Sequence, residues 1–104
     1  MIIYNVTVNI DDSVREEWKK WMIETHIPDV MKTGLFNEYR FSKVMARHEG
    51  DTGTNYSIQY LCENLDKFQD YQKNHAPDLQ KAHTSKYEGK FVAFRTLLEV
   101  EHYG

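Results

Sequence analysis

Five histidines are the side chains of this sequence best suited to acid–base chemistry, because imidazole changes charge near neutral pH. Two of them open the same tetrapeptide, His-x-Pro-Asp, at His26 and at His75. Each copy comes late in a stretch whose apolar residues recur at helical spacing, so the repeat indicates two equivalent positions in a duplicated architecture. His26 and His75 are therefore the candidate catalytic residues.

The repeat has two interpretations. Helix ends alone would favour it, because histidine interacts well with the free carbonyls at a helix C-terminus, and proline followed by aspartate suits a first helical turn. In the second interpretation both histidines line a pocket as acid–base or ligand-binding groups. The sequence favours the helix-end interpretation and leaves the pocket as the alternative.

The ligand-binding candidates are aromatic or polar side chains in the predicted helices and strands. Trp18 and Tyr71 lie at helical spacing, where they would wall an aromatic pocket or simply belong to the core. Asn5, Arg40 and Arg95 are predicted on the polar face of a sheet. There the arginines would bind a carboxylate through bidentate contacts, or merely solvate the sheet.

The sequence predicts neither a metal site nor a cofactor. It contains no His-x-x-x-His or Cys-x-x-Cys pair, and Pro77 disrupts the helical presentation of His75, Asp78 and His83. A glycine-rich phosphate loop and a serine nucleophile elbow are also missing from the sequence.

Alternation of apolar and polar residues predicts four strands, and helical spacing predicts two helical regions. The strands are expected at 2–10, 35–46, 55–62 and 91–100. The helices are expected to begin after Asp11-Asp12-Ser13 and at Asn64, and to break near His26 and at Pro77. The resulting order, βαββαβ, predicts one α+β domain over residues 1–104, with a ferredoxin-like four-stranded antiparallel sheet and helices on one face.

The sheet face away from the helices is predicted to be mostly polar. We place on it Ile3, Asn5, Thr7, Asn9, Glu38, Arg40, Ser42, Ser57, Gln59, Leu61, Phe91, Arg95, Leu97 and Glu99. In a monomer water would cover this face. In a homodimer two such faces would meet, bury the apolar members and let Glu38 pair with Arg95.

The overall composition excludes several partners. The net charge is −3 and no basic run occurs, which argues against nucleic-acid binding. No apolar run approaches the roughly 20 residues that span a bilayer, so no membrane partner is expected. The single cysteine, Cys62, suits a reducing compartment, and residues 1–10 look like a strand rather than a signal peptide. A cytoplasmic location is therefore expected.

These residues resemble the dimeric α+β barrel superfamily, whose members have a ferredoxin-like fold. The resemblance rests on the opening strand IIYNVTVNI, the helix W-x-x-W-M-x-x-x-H-I-P from Trp18 to Pro28, and the run Gly34-Leu-Phe. It covers nearly the whole chain and is strongest to an uncharacterised branch, a domain-of-unknown-function family. It implies the fold, a homodimer and a small-molecule ligand, and it assigns no reaction.

The wider superfamily includes cofactor-free monooxygenases, haem-degrading monooxygenases and muconolactone isomerases. The haem-degrading members use an asparagine on the first strand, a tryptophan and a histidine on the second helix. Asn5 or Asn9 and His75 match that pattern, but Trp18 lies on the first helix and departs from it.

Three hypotheses remain open. The chain is a small-molecule-binding homodimer, an enzyme of the monooxygenase or isomerase type, or a non-catalytic dimerisation or partner-binding module. The first two predict a closed cavity of a few hundred Å³ near His26 and His75. The third predicts a filled core with capping or exposed histidines.

Overall fold

The computed structural model describes residues 1–47 and 50–104, and its centre is a four-stranded antiparallel sheet. The strands are β1 (Ile2–Ile10), β2 (Glu38–Lys43), β3 (Thr54–Cys62) and β4 (Phe91–Glu99). They lie in the order β2-β3-β1-β4. This order is that of a ferredoxin-like fold and confirms the predicted βαββαβ arrangement.

The first helical region passes through four segments without leaving the helix. A 3-10 turn (Asp12–Val14) leads into α1 (Arg15–Trp21), a π-helical segment (Met22–His26) and α2 (Ile27–Met31). The predicted cap is confirmed at the start, where the Asp11 carboxylate accepts the backbone N–H of Ser13 at 2.8 Å. The region ends at Gly34, whose φ of 77° is the left-handed conformation that glycine tolerates.

The second helical region consists of α3 (Leu65–Asn74) and α4 (Ala76–Tyr87). As predicted, Asn64 caps α3, with its side-chain oxygen 2.9 Å from the backbone nitrogen of Lys67. At His75 the chain leaves helical geometry, with φ −127° and ψ −41°, before α4 begins.

The two prolines act differently, which corrects the break predicted near His26. Pro28 falls inside a continuous helix, and the π-helical turn before it accommodates the missing N–H and the ring. Pro77 instead starts a new helix after the break at His75. Both prolines nevertheless lie in a first turn with an aspartate, Asp29 or Asp78, as the helix-end interpretation requires.

The core lies between the helices and one face of the sheet. Alternate residues of β1 and β3 are buried, as period two predicts, and aromatic residues of the helices cover them. The largest contributors are Tyr4, Val8, Ile10, Trp18, Met22, Ile27, Tyr56, Ile58, Tyr60, Phe68, Tyr71 and Tyr87.

The second strand is shorter than the predicted 35–46. Only Glu38–Lys43 pairs with β3, although the backbone N–H groups of Asn37 and Val44 still bond to β3 at its two ends. The irregular segment 35–37 after Gly34 delays the start of the strand. Phe41 is the one residue of β2 that is even partly buried, so β2 is an edge strand that contributes little to the core.

The register of β4 overturns the predicted face of this strand. Ile10 pairs with Phe91, Val6 with Arg95, Tyr4 with Leu97 and Ile2 with Glu99, and directly paired residues point to the same side of a sheet. The assignment of Phe91, Arg95, Leu97 and Glu99 to the open face was therefore wrong, because they share the face that the helices cover.

The open face instead carries Val92, Phe94 and Leu98, which are 71%, 61% and 42% exposed. Glu38 and Arg40 do lie on this face. Glu38 pairs with Leu61 and Arg40 with Gln59. Leu61 and Gln59 pair in turn with Ile3 and Asn5, which are on the open face. Glu38 and Arg95 are thus on opposite sides of one subunit. β4 has apolar residues at both odd and even positions, so alternation alone does not distinguish its two faces.

Candidate functional site

A small cavity of about 40 Å³ lies between the helices and the sheet. His26 reaches it from the π-helical segment, Tyr71 from α3, His83 from α4 and Arg95 from β4. The rest of its wall is mostly apolar and comes from β1, β3 and the helices. Two imidazoles, three phenols (Tyr4, Tyr60 and Tyr71) and a guanidinium therefore line one mostly apolar space.

The two histidines form a close pair, with ring centroids 5.6 Å apart. His26 stacks on Trp21 with ring centroids 4.9 Å apart, and the rings of His83 and Phe91 lie nearly perpendicular with centroids 4.4 Å apart. Aromatic packing thus restricts both rings, so the pair has a defined geometry before any ligand binds.

Trp18 determines which nitrogen of His83 carries a proton. Its Nε1 donates a buried hydrogen bond to Nε2 of His83 over 2.9 Å, and Trp18 itself is completely buried. An indole N–H only donates, so Nε2 of His83 is an acceptor and the neutral ring carries its proton on Nδ1. His83 is therefore set up as a donor through Nδ1.

Burial keeps both imidazoles neutral at pH 7. Desolvation lowers the pKa of His26 to about 4, against a smaller opposing effect of Asp29. Desolvation also lowers the pKa of His83 to about 4, and the nearby charges of His26 and Arg95 add to that effect. Neutral imidazoles accept or donate single protons and can do acid–base work without carrying a permanent charge.

Arg95 brings a positive charge to this neutral site. Its Nε donates to the hydroxyl of Tyr4 over 3.1 Å. Within residues 1–47 and 50–104, no carboxylate lies within 4.0 Å of its guanidinium. An arginine stays charged at any accessible pH, so this charge has no countercharge in direct contact within the described chain.

An outer groove of about 260 Å³ adjoins the small cavity. The two spaces share Tyr4, Tyr71, Gln80 and Arg95, and Phe68 and Leu97 add apolar surface to the groove. The small cavity is much smaller than the few hundred Å³ predicted for a closed pocket, because aromatic side chains fill the interior. The outer groove approaches the size typical of ligand sites.

The structure brings four of the predicted site residues together and separates three. His26, Tyr71 and Arg95 line the cavity, and Trp18 holds His83 from behind. His75 sits between α3 and α4, where it stacks on Tyr71 at 6.4 Å without lining the cavity. Asn5 and Arg40 lie on the open face, where the Asn5 amide donates to the Thr7 hydroxyl at 3.1 Å.

His83 is the site residue that the sequence reasoning did not select. The His-x-Pro-Asp repeat pointed to His75. His83 was considered only with His75 and Asp78, as a set of metal ligands that Pro77 disrupts. The signal was its spacing, because Leu79, His83 and Tyr87 recur every four residues and so share one face of α4. Across the described residues, no cluster of three metal-ligating side chains occurs.

The fold and this cleft define a class of protein. A four-stranded antiparallel sheet covered by helices on one face is the ferredoxin-like fold that the resemblance implied. The chain belongs to the family described as Domain of unknown function (DUF4286), whose model matches residues 1–101. No curated protein matches the sequence.

Solved structures with the same fold include proteins of diverse activity. An ethyl tert-butyl ether D (EthD) family protein of Bacillus halodurans has a TM-score of 0.71 at 11% identity, over 96% of this chain and 99% of that one. A variant of SnoaB, a cofactor-independent oxygenase of Streptomyces nogalater, has a TM-score of 0.65 at 11% identity, over 98% and 95%.

The hydroxynitrile lyase of Passiflora edulis has a TM-score of 0.64 at 12% identity, over 99% and 97% of the two chains. At these identities the likeness shows the fold alone. In the described part of the chain, no helix has the length and apolar character that crossing a bilayer requires.

Proposed function

We propose that this protein is a homodimer that binds a small organic molecule in the outer groove and the small cavity, and that His26 accepts a proton from it. The observation that carries the proposal is the pair of neutral imidazoles, the partly buried His26 and the buried His83, beside the guanidinium of Arg95. Such a set of groups matches proton transfer on a bound small molecule better than it matches plain core packing.

The two histidines have different roles in this proposal. Nε2 of His83 is occupied by Trp18, which leaves its Nδ1–H to donate to the ligand. The described residues supply no hydrogen bond to the ring of His26, so His26 has a nitrogen free to accept a proton. A proton acceptor (His26) and a hydrogen-bond donor (His83) that contact the same ligand are what an isomerisation needs. The same pair suits the deprotonation that begins a cofactor-free oxidation.

The fold neighbours support an enzyme of this kind. One is named a cofactor-independent oxygenase and another a hydroxynitrile lyase, so this architecture hosts reactions on small organic molecules. Metal and cofactor play no part in the proposal, which rests on the side chains that line the cleft.

The homodimer part of the proposal rests on the open face of the sheet. Val92, Phe94 and Leu98 are exposed there, and Leu98 is in register with Ile3 and Leu61 on the neighbouring strands. Apolar side chains gathered on one sheet face favour coverage by a second copy. The reduced, buried Cys62 suits a cytoplasmic protein, and we include that location in the proposal.

The same apolar face favours a second candidate, a non-catalytic module that dimerises or binds a protein partner. A fragment collection screened by NMR separates the two. We expect compounds that shift the imidazole signals of His26 and His83 and leave those of the exposed His102 unchanged. If no compound shifts the signals of His26 or His83, the result contradicts small-molecule binding. The non-catalytic module is then the remaining candidate.

Sedimentation tests the dimer independently of any ligand. We expect a species of twice the chain mass at micromolar concentration. A clean monomer under those conditions would contradict the homodimer, whatever the fragment screen shows.

A further inference from the structure

We infer that the ligand of this cleft is a small carboxylate attached to a ring or other apolar group, and that Arg95 binds its carboxylate. The inference rests on the proposed function and specifies the chemical class that this site selects. Its basis is the position of Arg95, which has no carboxylate of the described chain in contact with it and lines both the small cavity and the outer groove.

The first step is the charge of the cleft. Neither the small cavity nor the outer groove has an aspartate or glutamate among its described lining residues, and Arg95 belongs to both. The two histidines are neutral, so Arg95 is the one formal charge that these linings contribute at pH 7. Arg95 is solvent-exposed in the single subunit, and a cation without a countercharge on the lining of a cleft attracts an anionic ligand.

The second step is the geometry of the guanidinium. Tyr4 engages only Nε, at 3.1 Å, and the described residues offer no hydrogen-bond partner to the two terminal nitrogens. Those two nitrogens form the flat fork that matches the two oxygens of a carboxylate. The bond to Tyr4 also holds the side chain in place, which reduces the entropy lost when a ligand binds.

The third step is the space on either side of Arg95. The small cavity, at about 40 Å³, holds a carboxylate-sized group but no ring. The outer groove, at about 260 Å³, is bordered by Phe68, Tyr71 and Leu97, which present apolar surface to a ring. A ligand bound in this way has its charged end beside His26 and His83 and its apolar end outside.

Paired probes of equal shape test the inference. Benzoate and phenylacetate are compared with benzamide and phenylacetamide, which keep the ring and lose the charge. At pH 7 we expect each acid to bind at least about tenfold more tightly than its amide, measured from the shifts of the His26 and His83 signals. A bound acid should also raise the pKa of both histidines, because its negative charge favours the imidazolium, and the amide should not.

Two arginine variants identify the residue responsible. Arg95→Gln should abolish the preference for the acids, whereas Arg40→Gln, on the opposite face of the sheet, should leave it unchanged. Arg95→Lys keeps the charge without the fork. It should keep part of the preference, which also shows that the cleft survives substitution at this position.

The outcomes separate this inference from the proposed function. Equal binding of acid and amide, or a preference that survives in Arg95→Gln, overturns the carboxylate assignment while leaving small-molecule binding intact. Failure of all four probes to shift His26 and His83 overturns the assignment too. If the fragment screen then finds neutral ligands, the proposed function stands without the carboxylate assignment.

Discussion

Nε1 of Trp18 lies 2.9 Å from Nε2 of His83, and this buried hydrogen bond joins the first helix of the domain to the last. It has two consequences. It satisfies two polar atoms that would otherwise be desolvated without partners, and it selects the Nδ1–H form of the imidazole that faces the cavity. Stability and site chemistry thus depend on the same pair of residues.

Replacing Trp18 with phenylalanine should destabilise the protein because it leaves Nε2 of His83 buried and unpaired. We expect a loss of about 1–3 kcal/mol for the hydrogen bond, with a further loss from the smaller ring. Trp21→Phe is the matched control, since no hydrogen bond of Trp21 is seen in the described structure. Urea unfolding measures both variants. Equal losses in the two would contradict the role assigned to the bond.

The same variant should change the tautomer of His83. The ¹⁵N shifts of its ring report which nitrogen is protonated, and without the indole donor the Nε2–H form should appear. A His83 spectrum identical in wild type and Trp18→Phe would contradict this assignment even if the variant is less stable.

Acid should destabilise the fold through the histidine pair. The pKa of each is about 4 in the folded chain, against an ordinary value of 6.5, so the unfolded chain binds more protons between those pH values. Stability is then complete above about pH 6.5 and falls as the pH drops towards 4. The loss is on the order of 2 to 3 kcal/mol for each histidine.

Carboxylates with lowered pKa values, such as Asp11 and Glu63, act in the same direction, so a comparison of variants isolates the histidines. The double variant His26→Gln, His83→Gln should show a shallower decline of unfolding free energy between pH 7 and pH 4.5. Parallel curves for wild type and the double variant would contradict the assignment.

A charge on the open face should separate the proposed dimer. Phe94 is 61% exposed in one subunit, so Phe94→Lys costs the monomer little and places a cation within the proposed contact. Leu65→Lys, at a 48% exposed position of α3, is the control. Sedimentation should show a monomer for the first variant and a dimer for the second. A dimer in both would exclude this face as the interface.

Two glycines with similar backbone angles should differ in their tolerance of a side chain. Gly34 and Gly53 have φ of 77° and 71°, but a Cβ at Gly34 meets open space, while one at Gly53 lies 2.7 Å from the backbone oxygen of Ile10. We expect Gly34→Ala to cost about 1 kcal/mol and Gly53→Ala about 2 kcal/mol or more. Thermal unfolding measures both, and equal costs would show that the loop yields to the added methyl.

Much of this fold was predictable because local signals agreed with one another. In β1 and β3 apolar residues recur at every second position, and both strands bury most of them. Asp11 and Asn64 cap the helices where their acceptors suggested. The site was less predictable. His83 lies eight residues after His75 of the His-x-Pro-Asp motif, and only the packing of α4 against Trp18 distinguishes it from other helical histidines.

Sequence by itself determined the elements of this protein, their order and the buried side of the two central strands, because these depend on periodicity within a few residues. Tertiary structure alone decided which side of β4 faces the helices, since that strand is apolar at both parities and only its pairing with β1 sets the register. That register moves Arg95 from the open face to the cleft. It is also why His26, His83 and Arg95, which are far apart in sequence, border one cavity.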